Sequence, residues 1–344
     1  MTNLVSSPPR LTREWSDWIL QSLLLAVARD EISRTLVSHA AFTPAEARQH
    51  VDEVSRSELF ALTNRNQQSL RKLESLLDNL ERVRLMGATH HFISRRARIG
   101  AHEFFEQFYA TNTPVLIEEF ARRWPAAKRW TPQFFKENYG HYLVEVMAER
   151  ESDPRYEERF ERHRQEVPLA GFIDGLCSLG GNNSYLVANN QLLERPEFAR
   201  LHVDLSPDPQ IVPPSTMEHG GAFLWLGGAG TITPLHHDVE NVLFVQIYGS
   251  KRFTLISPYQ SHRVYNDVSV YSDVDIAQPD RERHPLFDSV SRLEVTVGPG
   301  EALLIPVGWW HHVESLEVSI SVSFIQFAYP NEFHWQLPQL PHLP

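Results

Sequence analysis

The fold is decided by one stretch, GPGEALLIPVGWWHHV, which spans residues 298–313. Its glycines turn the chain into an apolar run that ends in two histidines, and this pattern predicts a buried strand with polar side chains at its end. Side chains alternate between the two faces of a strand. His311 therefore shares a face with Trp309 and Val313, whereas His312 lies on the other face.

The sequence around this stretch is typical of a β-rich domain. From about residue 100 the chain runs in short segments rich in Val, Ile, Phe and Trp, separated by Gly and Pro, which indicates an all-β barrel or sandwich. Gly249 and Ser250 predict a hairpin turn between two of these segments. The candidate strands are residues 222–226, 242–248, 252–256, 292–297, 302–305, 309–313 and 318–327.

The first 97 residues have a different composition. They hold one of the 16 glycines and three of the 23 prolines, which favours helices. We therefore expect a small all-α N-terminal domain over residues 1–97 and the β-rich domain over residues 98–344.

A leucine seam marks one predicted helix of the first domain. Leu70, Leu73, Leu77 and Leu80 recur in alternating steps of three and four residues, which places them on one helix face. Because the pattern is short for a coiled coil, we expect the seam to pack on its own protein, with a dimeric coiled coil as the alternative. The sequence leaves the oligomeric state open.

Charge and cysteine content exclude several classes of function. The chain has 344 residues and a formal net charge of −11 at pH 7, so neither nucleic acid nor an anionic membrane is an expected partner. A single cysteine, Cys177, excludes an intramolecular disulfide, and no stretch reaches the ~18 apolar residues of a membrane span. The first residues lack the apolar run of a signal peptide. We expect a cytoplasmic protein.

Two His-x-Asp triplets are candidate metal ligands, because each offers an imidazole and a carboxylate from one short segment. His236-His237-Asp238 follows an apolar strand and a glycine-rich stretch, and a strand end that opens into a loop suits a metal site. His202-Val203-Asp204 trails a predicted helix and has no apolar strand to hold it rigid. We interpret it as a surface turn.

A third ligand is expected from the stretch that decides the fold. His311 follows His236 by 75 residues and ends a predicted buried strand. With Asp238, these histidines make a set of two imidazoles and one carboxylate, which leaves open positions on iron(II) for oxygen chemistry. Zinc would prefer a closed tetrahedral set.

Two segments, Thr233 to Lys251 and Gly300 to His311, resemble the JmjC and cupin-like 2-oxoglutarate oxygenases. The second has the spacing of the second cupin motif: Gly, five residues, Pro, one residue, Gly, two residues, His. The resemblance extends over roughly residues 114–329 and leaves the N-terminal domain unexplained. It implies a double-stranded β-helix (jelly-roll) fold for the second domain, and Fe(II), 2-oxoglutarate and O2 as the reactive partners.

The same resemblance implies which residues hold 2-oxoglutarate. Its far carboxylate needs a cation and hydroxyl donors, and Lys251, Thr233 and Tyr185 stand where the family has a lysine, a threonine and a tyrosine for it. Asn241 lies one place from an asparagine that is frequent in the family. Ser323 belongs to an alternating Ser pattern that would give the barrel a polar interior.

The expected reaction is hydroxylation of an unactivated C–H bond, first of all on a protein or peptide side chain. A free amino acid or small metabolite is the alternative substrate, and a non-catalytic metal-binding cupin scaffold is the alternative class. Lysine demethylation is less expected, because no histone-reading module is visible. The segment of residues 266–291 should border the site mouth, and we hypothesise that it attracts a cationic substrate; a solvated loop is the alternative. Its acidic residues are Asp267, Asp273, Asp275, Asp280, Glu282 and Asp288.

Overall fold

The computed structural model describes residues 11–187, 191–217, 219–266, 269–331 and 333. The chain divides into two compact units, one ending at Leu80 and one beginning at Glu81. Residues 81–97, which the sequence analysis assigned to the N-terminal domain, are therefore grouped with the larger unit.

The first unit is helical, and its core is built by three short helices. The helices are α1 (Arg13–Leu24), α2 (Arg29–His39), α3 (Pro44–Ser55) and α4 (Glu58–Met86), of which α4 runs past the boundary. Thr43 and Glu46 cap the start of α3 reciprocally, which fixes where that helix begins. The buried core consists of Ile19, Ile32, Leu36, Phe42, Ala47, Val51 and Val54.

The predicted leucine seam lies on α4, and three of its four leucines are exposed in the described part of the chain, whereas Leu77 is partly buried. Leu70, Leu73 and Leu80 are 58 %, 52 % and 39 % exposed. This differs from the expectation that the seam packs on its own protein, because the core of the first unit closes without a residue of α4.

The larger unit combines five short α-helices with thirteen strands in the described residues. The helices are α5 (Ala101–Phe104), α6 (Pro125–Arg129), α7 (Pro132–Tyr139), α8 (Phe160–His163) and α9 (Leu169–Leu179). The first five strands are β1 (Ser94–Arg96), β2 (Val115–Ile117), β3 (Leu143–Ala148), β4 (Arg164–Pro168) and β5 (Ser184–Leu186). The later strands are β6 (Ala222–Gly227), β7 (Ile232–His236), β8 (Val242–Tyr248), β9 (Lys251–Ile256), β10 (Leu293–Val297), β11 (Ala302–Ile305), β12 (Trp310–Ser315) and β13 (Ser319–Phe324).

These strands form two sheets. The larger sheet has the order β1-β2-β11-β8-β13-β6-β5-β3-β4, and the smaller has the order β10-β9-β12-β7. Side chains from both sheets line one common cavity, for example Ser323 from the larger and Lys251 from the smaller. Two sheets around a shared interior make the predicted jelly-roll, preceded by helices, so this fold prediction is confirmed.

Strand β13 shows why the interior is polar although the protein has a large core. Ile320, Val322 and Phe324 belong to the main apolar cluster. Ser323 lines the cavity, and Ser319 and Ser321 share its face by alternation. The outer face of the larger sheet therefore supplies the main core, and the inner face remains available for a ligand.

No helix in the described ranges is both long enough and apolar enough to cross a bilayer.

Candidate metal centre

The three predicted ligands converge at the open end of the smaller sheet. His236 ends β7 and lies directly opposite His311 of β12 in the antiparallel register. Asp238 follows in the loop after β7, and its Oδ2 lies 3.5 Å from Nε2 of His311. The candidate ligand atoms of all three residues lie within 4.8 Å of one another. A pair of adjacent strands therefore positions both imidazoles.

Backbone carbonyls orient both histidines toward a metal. Nδ1 of His236 donates to the carbonyl of Pro234 at 2.8 Å, and Nδ1 of His311 donates to the carbonyl of Trp309 at 3.0 Å. These bonds leave each Nε2 as a lone-pair donor, which is how metal-binding histidines are usually oriented. Burial lowers the pKa of His311 to about 4, so its imidazole is neutral at physiological pH. Two imidazoles and one carboxylate fit Fe(II).

The ligands open into a cavity of about 370 Å³. Besides the triad, the cavity is lined by four of the predicted cofactor-binding residues: Tyr185, Thr233, Lys251 and Ser323. Ser323 Oγ accepts a hydrogen bond from Trp225 Nε1 at 2.8 Å, so this serine also fixes an aromatic wall of the cavity.

Lys251 is a buried cation with a neutral neighbour. Its Nζ donates to Tyr185 Oη at 2.9 Å, and the residue is 1 % exposed. Burial, and secondarily the positive charge of Arg150, lower the pKa of Lys251 to about 7. Burial also raises the pKa of Tyr185, which keeps the phenol protonated. A carboxylate placed against Lys251 would restore the favourable environment that the ammonium lost on burial.

Asn241 does not join this group. Its Oδ1 accepts from the backbone N–H of Val307 at 2.9 Å, and its Nδ2 donates to Asn331 Oδ1 at 2.9 Å. It is buried and does not line the cavity. The structure therefore corrects the expectation that Asn241 contacts 2-oxoglutarate, because both ends of its amide already hold the loop after β7.

The sequence analysis missed Arg150, which braces the cofactor end of the cavity. Its guanidinium is fully buried and stacks 4.2 Å from the ring centre of Tyr156 and 5.2 Å from that of Tyr185. Nη2 donates to Glu157 Oε1 at 2.9 Å and to the carbonyl of Ile232 at 2.6 Å. One arginine thus joins the start of β7, a cavity carboxylate and the tyrosine beside Lys251. Two of its partners, Tyr185 and Ile232, come from distant segments, so no local pattern could have revealed this role.

The segment of residues 266–291, called the acidic segment below, is attached to the wall of the metal cavity through its backbone and not through its carboxylates. The N–H of Ser272 donates to the carbonyl of Leu235 at 2.9 Å, which attaches the segment to β7. Tyr271 consequently lines the cavity, with its ring centre 5.8 Å from that of His236. Asp273 and Asp275 instead line a separate cavity of about 420 Å³.

That separate cavity lies on the outer face of the metal-binding strands, since it is lined by His312 and not by His311. The expected alternation of these two histidines is thereby observed. Asp267 lies outside the described residues. Among the described residues, the carboxylates that line the metal cavity besides Asp238 are Glu157 and Glu240. The segment of residues 266–291 borders this cavity, as expected, through Val270 and Tyr271. Its attraction for a cationic substrate stays a prediction.

The second triplet is structural. His202 and Asp204 lie on a 3-10 helix, Pro196–Asp204, where Nε2 of His202 donates to the carbonyl of Leu193 at 2.6 Å. Asp204 is 1 % exposed and accepts from Trp130 Nε1 at 2.8 Å. His202 and Asp204 therefore form no ligand pair, as expected, but this segment is not a surface turn, because the carboxylate of Asp204 is buried.

Comparison with known proteins agrees with this geometry. The model of the cupin-like domain family matches residues 101–325. Lysine-specific demethylase 8 of Xenopus tropicalis is 29 % identical over 227 residues, which cover 64 % of this chain and 49 % of that protein. Lysine-specific demethylase JMJ30 of Arabidopsis thaliana is 29 % identical over 245 residues, which cover 67 % and 54 %.

A shorter match joins the chain to HSPB1-associated protein 1 of Homo sapiens, with 38 % identity over 109 residues, 29 % of this chain and 22 % of that protein. The chain spans about half the length of the first relatives that it matches. The family match covers most of the chain and contains all three candidate metal ligands. The chain belongs to the JmjC and cupin-like family of Fe(II)- and 2-oxoglutarate-dependent oxygenases.

Proposed function

We propose that this protein is an Fe(II)- and 2-oxoglutarate-dependent dioxygenase that hydroxylates an unactivated C–H bond on a protein side chain. The observation that carries this proposal is one cavity that contains both the His236, Asp238 and His311 triad and the buried cation Lys251. Iron and 2-oxoglutarate, when bound, supply the oxidising power by coupling O2 reduction to oxidative decarboxylation of the keto acid.

The chain's own residues would bind and orient the metal and 2-oxoglutarate. His236, Asp238 and His311 would hold the metal through neutral nitrogens and one carboxylate, and the backbone carbonyls behind the histidines keep them in place. Lys251 and the hydroxyls of Tyr185 and Thr233 would hold the far carboxylate of 2-oxoglutarate. Strand pairing fixes this spacing, because Thr233 and His236 lie on β7 and both pair with β12.

The mouth of the cavity supports a cationic substrate. Glu157 and Glu240 line the cavity, and Arg150 already neutralises Glu157. Among the described residues, the lining holds three carboxylates, those of Asp238, Glu157 and Glu240, and one basic side chain, Lys251. This excess of carboxylates favours an ammonium or guanidinium side chain. Two relatives are named lysine-specific demethylases, which agrees with a basic protein side chain as substrate. We place the protein in the cytoplasm.

Mass spectrometry tests the proposal directly. Candidate basic peptides and cell extract are incubated with protein, Fe(II), 2-oxoglutarate and O2, and we expect a gain of one oxygen on a protein side chain. His236→Ala and Asp238→Ala should abolish it. Release of formaldehyde with loss of a methyl group would replace hydroxylation by demethylation, and oxidation confined to small molecules would replace the protein substrate by a metabolite.

Spectroscopy without substrate distinguishes an active oxygenase from a non-catalytic scaffold. Anaerobic addition of Fe(II) and 2-oxoglutarate should produce a weak visible charge-transfer band if the keto acid chelates the metal. We expect the band in the wild type and its loss in Asp238→Ala. Absence of the band in folded wild-type protein would leave only a jelly-roll scaffold.

A further inference from the structure

Helix α4 presents a row of leucines that the described chain leaves uncovered. We define the α4 stripe as the six leucines of this helix that are 39–61 % exposed in the first unit: Leu59, Leu62, Leu70, Leu73, Leu76 and Leu80. The helix has 29 residues, and the one fully buried residue along it is Glu81. A helix gains most of its stability in a protein from packing of an apolar face. Packing of the α4 stripe against another helix would therefore stabilise α4.

The spacing of the stripe identifies the kind of partner. Leu59, Leu62, Leu73, Leu76 and Leu80 fall on a strict heptad seam, with steps of three and four residues, whose remaining positions are Asn66 and Ser69. Leu70 lies beside the seam. Such a seam fits another helix with the same repeat, by insertion of each side chain between four of its neighbour's.

Asn66 and the flanking charges favour a second copy of this chain in parallel orientation. One buried asparagine at the first core position of a heptad selects a two-stranded arrangement, because each asparagine meets its counterpart at the same level. Arg65 and Lys72 flank the seam on one side, and Leu70 and Leu77 flank it on the other. In a parallel pair the basic flank of one copy faces the leucine flank of the next, whereas in an antiparallel pair the two basic flanks would face and repel each other. The seam itself holds no charged residue.

The apolar area of the α4 stripe is also close to what a stable dimer interface needs. Each half-exposed leucine can bury roughly 60 Å² of apolar surface, which gives about 350 Å² for the stripe of one copy. A stable interface buries about 800 Å² per partner, and somewhat more than half of it is apolar. The stripe thus supplies most of the apolar area that a stable dimer needs, and polar flanks can supply the rest.

We propose that two copies of this protein associate through the α4 stripe as a parallel helix pair. Multi-angle light scattering of the full chain after size exclusion tests this, and we expect twice the chain mass of 39.7 kDa. Leu73→Lys with Leu76→Lys should give a monomer, because two charges would enter the seam of each copy. The matched control is Gln68→Lys with Ser75→Lys, which adds the same two charges at exposed positions away from the seam and should leave the dimer intact.

A second variant keeps the test independent of folding. Ser69→Leu replaces an exposed polar seam residue by leucine, so it adds to the stripe without disturbing the core, and we expect the dimer dissociation constant to fall by about tenfold or more. Far-ultraviolet circular dichroism should be unchanged in all variants. A monomeric wild type at about 100 µM, well above ordinary dimer dissociation constants, or a dimer that survives both lysines, would overturn the proposal.

Discussion

Two segments of this chain carry the same His-x-Asp pattern, and only one of them builds a metal centre. His236 and Asp238 face a cavity and meet His311 from the neighbouring strand. His202 and Asp204 are occupied by bonds to their own surroundings. The difference shows that a His-x-Asp pair can bind a metal only where neighbouring groups do not already form hydrogen bonds with its ligand atoms.

Electrostatics explain the contrast. Asp204 receives a hydrogen bond from Arg129 Nη1 at 2.6 Å and another from Trp130 Nε1 at 2.8 Å. A buried carboxylate with two good donors has its charge compensated and cannot approach a metal without losing both. Around Asp238, by contrast, the groups brought close are the two histidines, whose Nε2 atoms are acceptors. Several lone pairs aimed at one point favour a cation there.

The largest expected effect comes from removing one carboxylate of each segment and comparing activity. Asp238→Ala should lose oxygen transfer by more than the roughly 10–100-fold typical of residues that only orient a ligand, because it removes a metal ligand. Asp204→Ala should retain the wild-type rate per folded molecule. The anaerobic charge-transfer band should follow the same division. Equal losses in the two variants would show that the segments are not distinct in function.

The free energy of unfolding should respond to these two substitutions in the opposite order. Asp204→Ala leaves the buried Trp130 N–H without an acceptor, and we expect a loss of about 3 kcal/mol in the free energy of unfolding. Asp238→Ala relieves a site built for an ion and should cost less than about 1 kcal/mol in metal-free protein. Urea denaturation with a chelator present measures both. Asp204→Asn is the control, since it keeps one acceptor and should lose less than Asp204→Ala.

The same contrast explains what sequence alone could predict. The metal ligands were predictable, because His311 ends a strongly apolar run whose alternation fixes the direction of its side chain, and His236 and Asp238 follow an apolar strand and a glycine-rich stretch. Strands β8 and β11 were predicted with the bounds that the structure has. Strand β7 was missed, since Pro234 argues against a strand. It is tolerated because β7 is the edge of its sheet, where a missing N–H costs little.

Other features depend on contacts between distant segments. Arg150 owes its role to Glu157, Tyr185 and Ile232, and no periodicity in the sequence connects them. Tyr271 enters the cavity because its segment bonds to the backbone of β7. Backbone pairing of this kind leaves little trace in side-chain identity. The leucine pattern of α4 was visible in the sequence, but the sequence did not decide whether these leucines pack on their own chain or on a second copy.

Lys251 sharpens the comparison, because it is a buried charge whose hydrogen-bond partner among the described residues is a neutral phenol. With its pKa lowered to about 7, the lysine is charged below pH 7 and increasingly neutral above it. A bound carboxylate raises that pKa again, so binding of 2-oxoglutarate takes up a proton above pH 7. We expect the dissociation constant to be flat below pH 7 and to rise toward about tenfold per pH unit above it. Anaerobic titrations from pH 6 to 9 measure this.

Lys251→Arg provides the control for that pH dependence. A guanidinium stays charged throughout this range, so the variant should bind 2-oxoglutarate with a dissociation constant that does not change between pH 7 and 9, whatever its absolute affinity. A wild-type constant that is itself flat from pH 6 to 9 would show that the lysine is already charged without its ligand, and that burial is compensated by another group.

The smallest effect concerns two carboxylates that line different cavities. Glu240 lines the metal cavity, whereas Asp275 lines the cavity on the outer face of β7. If a cationic side chain is the substrate, Glu240→Gln should raise its KM about fivefold at low salt, close to 1 kcal/mol for a partly exposed ion pair, and leave kcat unchanged. Asp275→Asn should leave both constants unchanged. A larger effect of Asp275→Asn would mean that the substrate extends across β7 into the second cavity, which would assign the acidic segment the role that its charge first suggested.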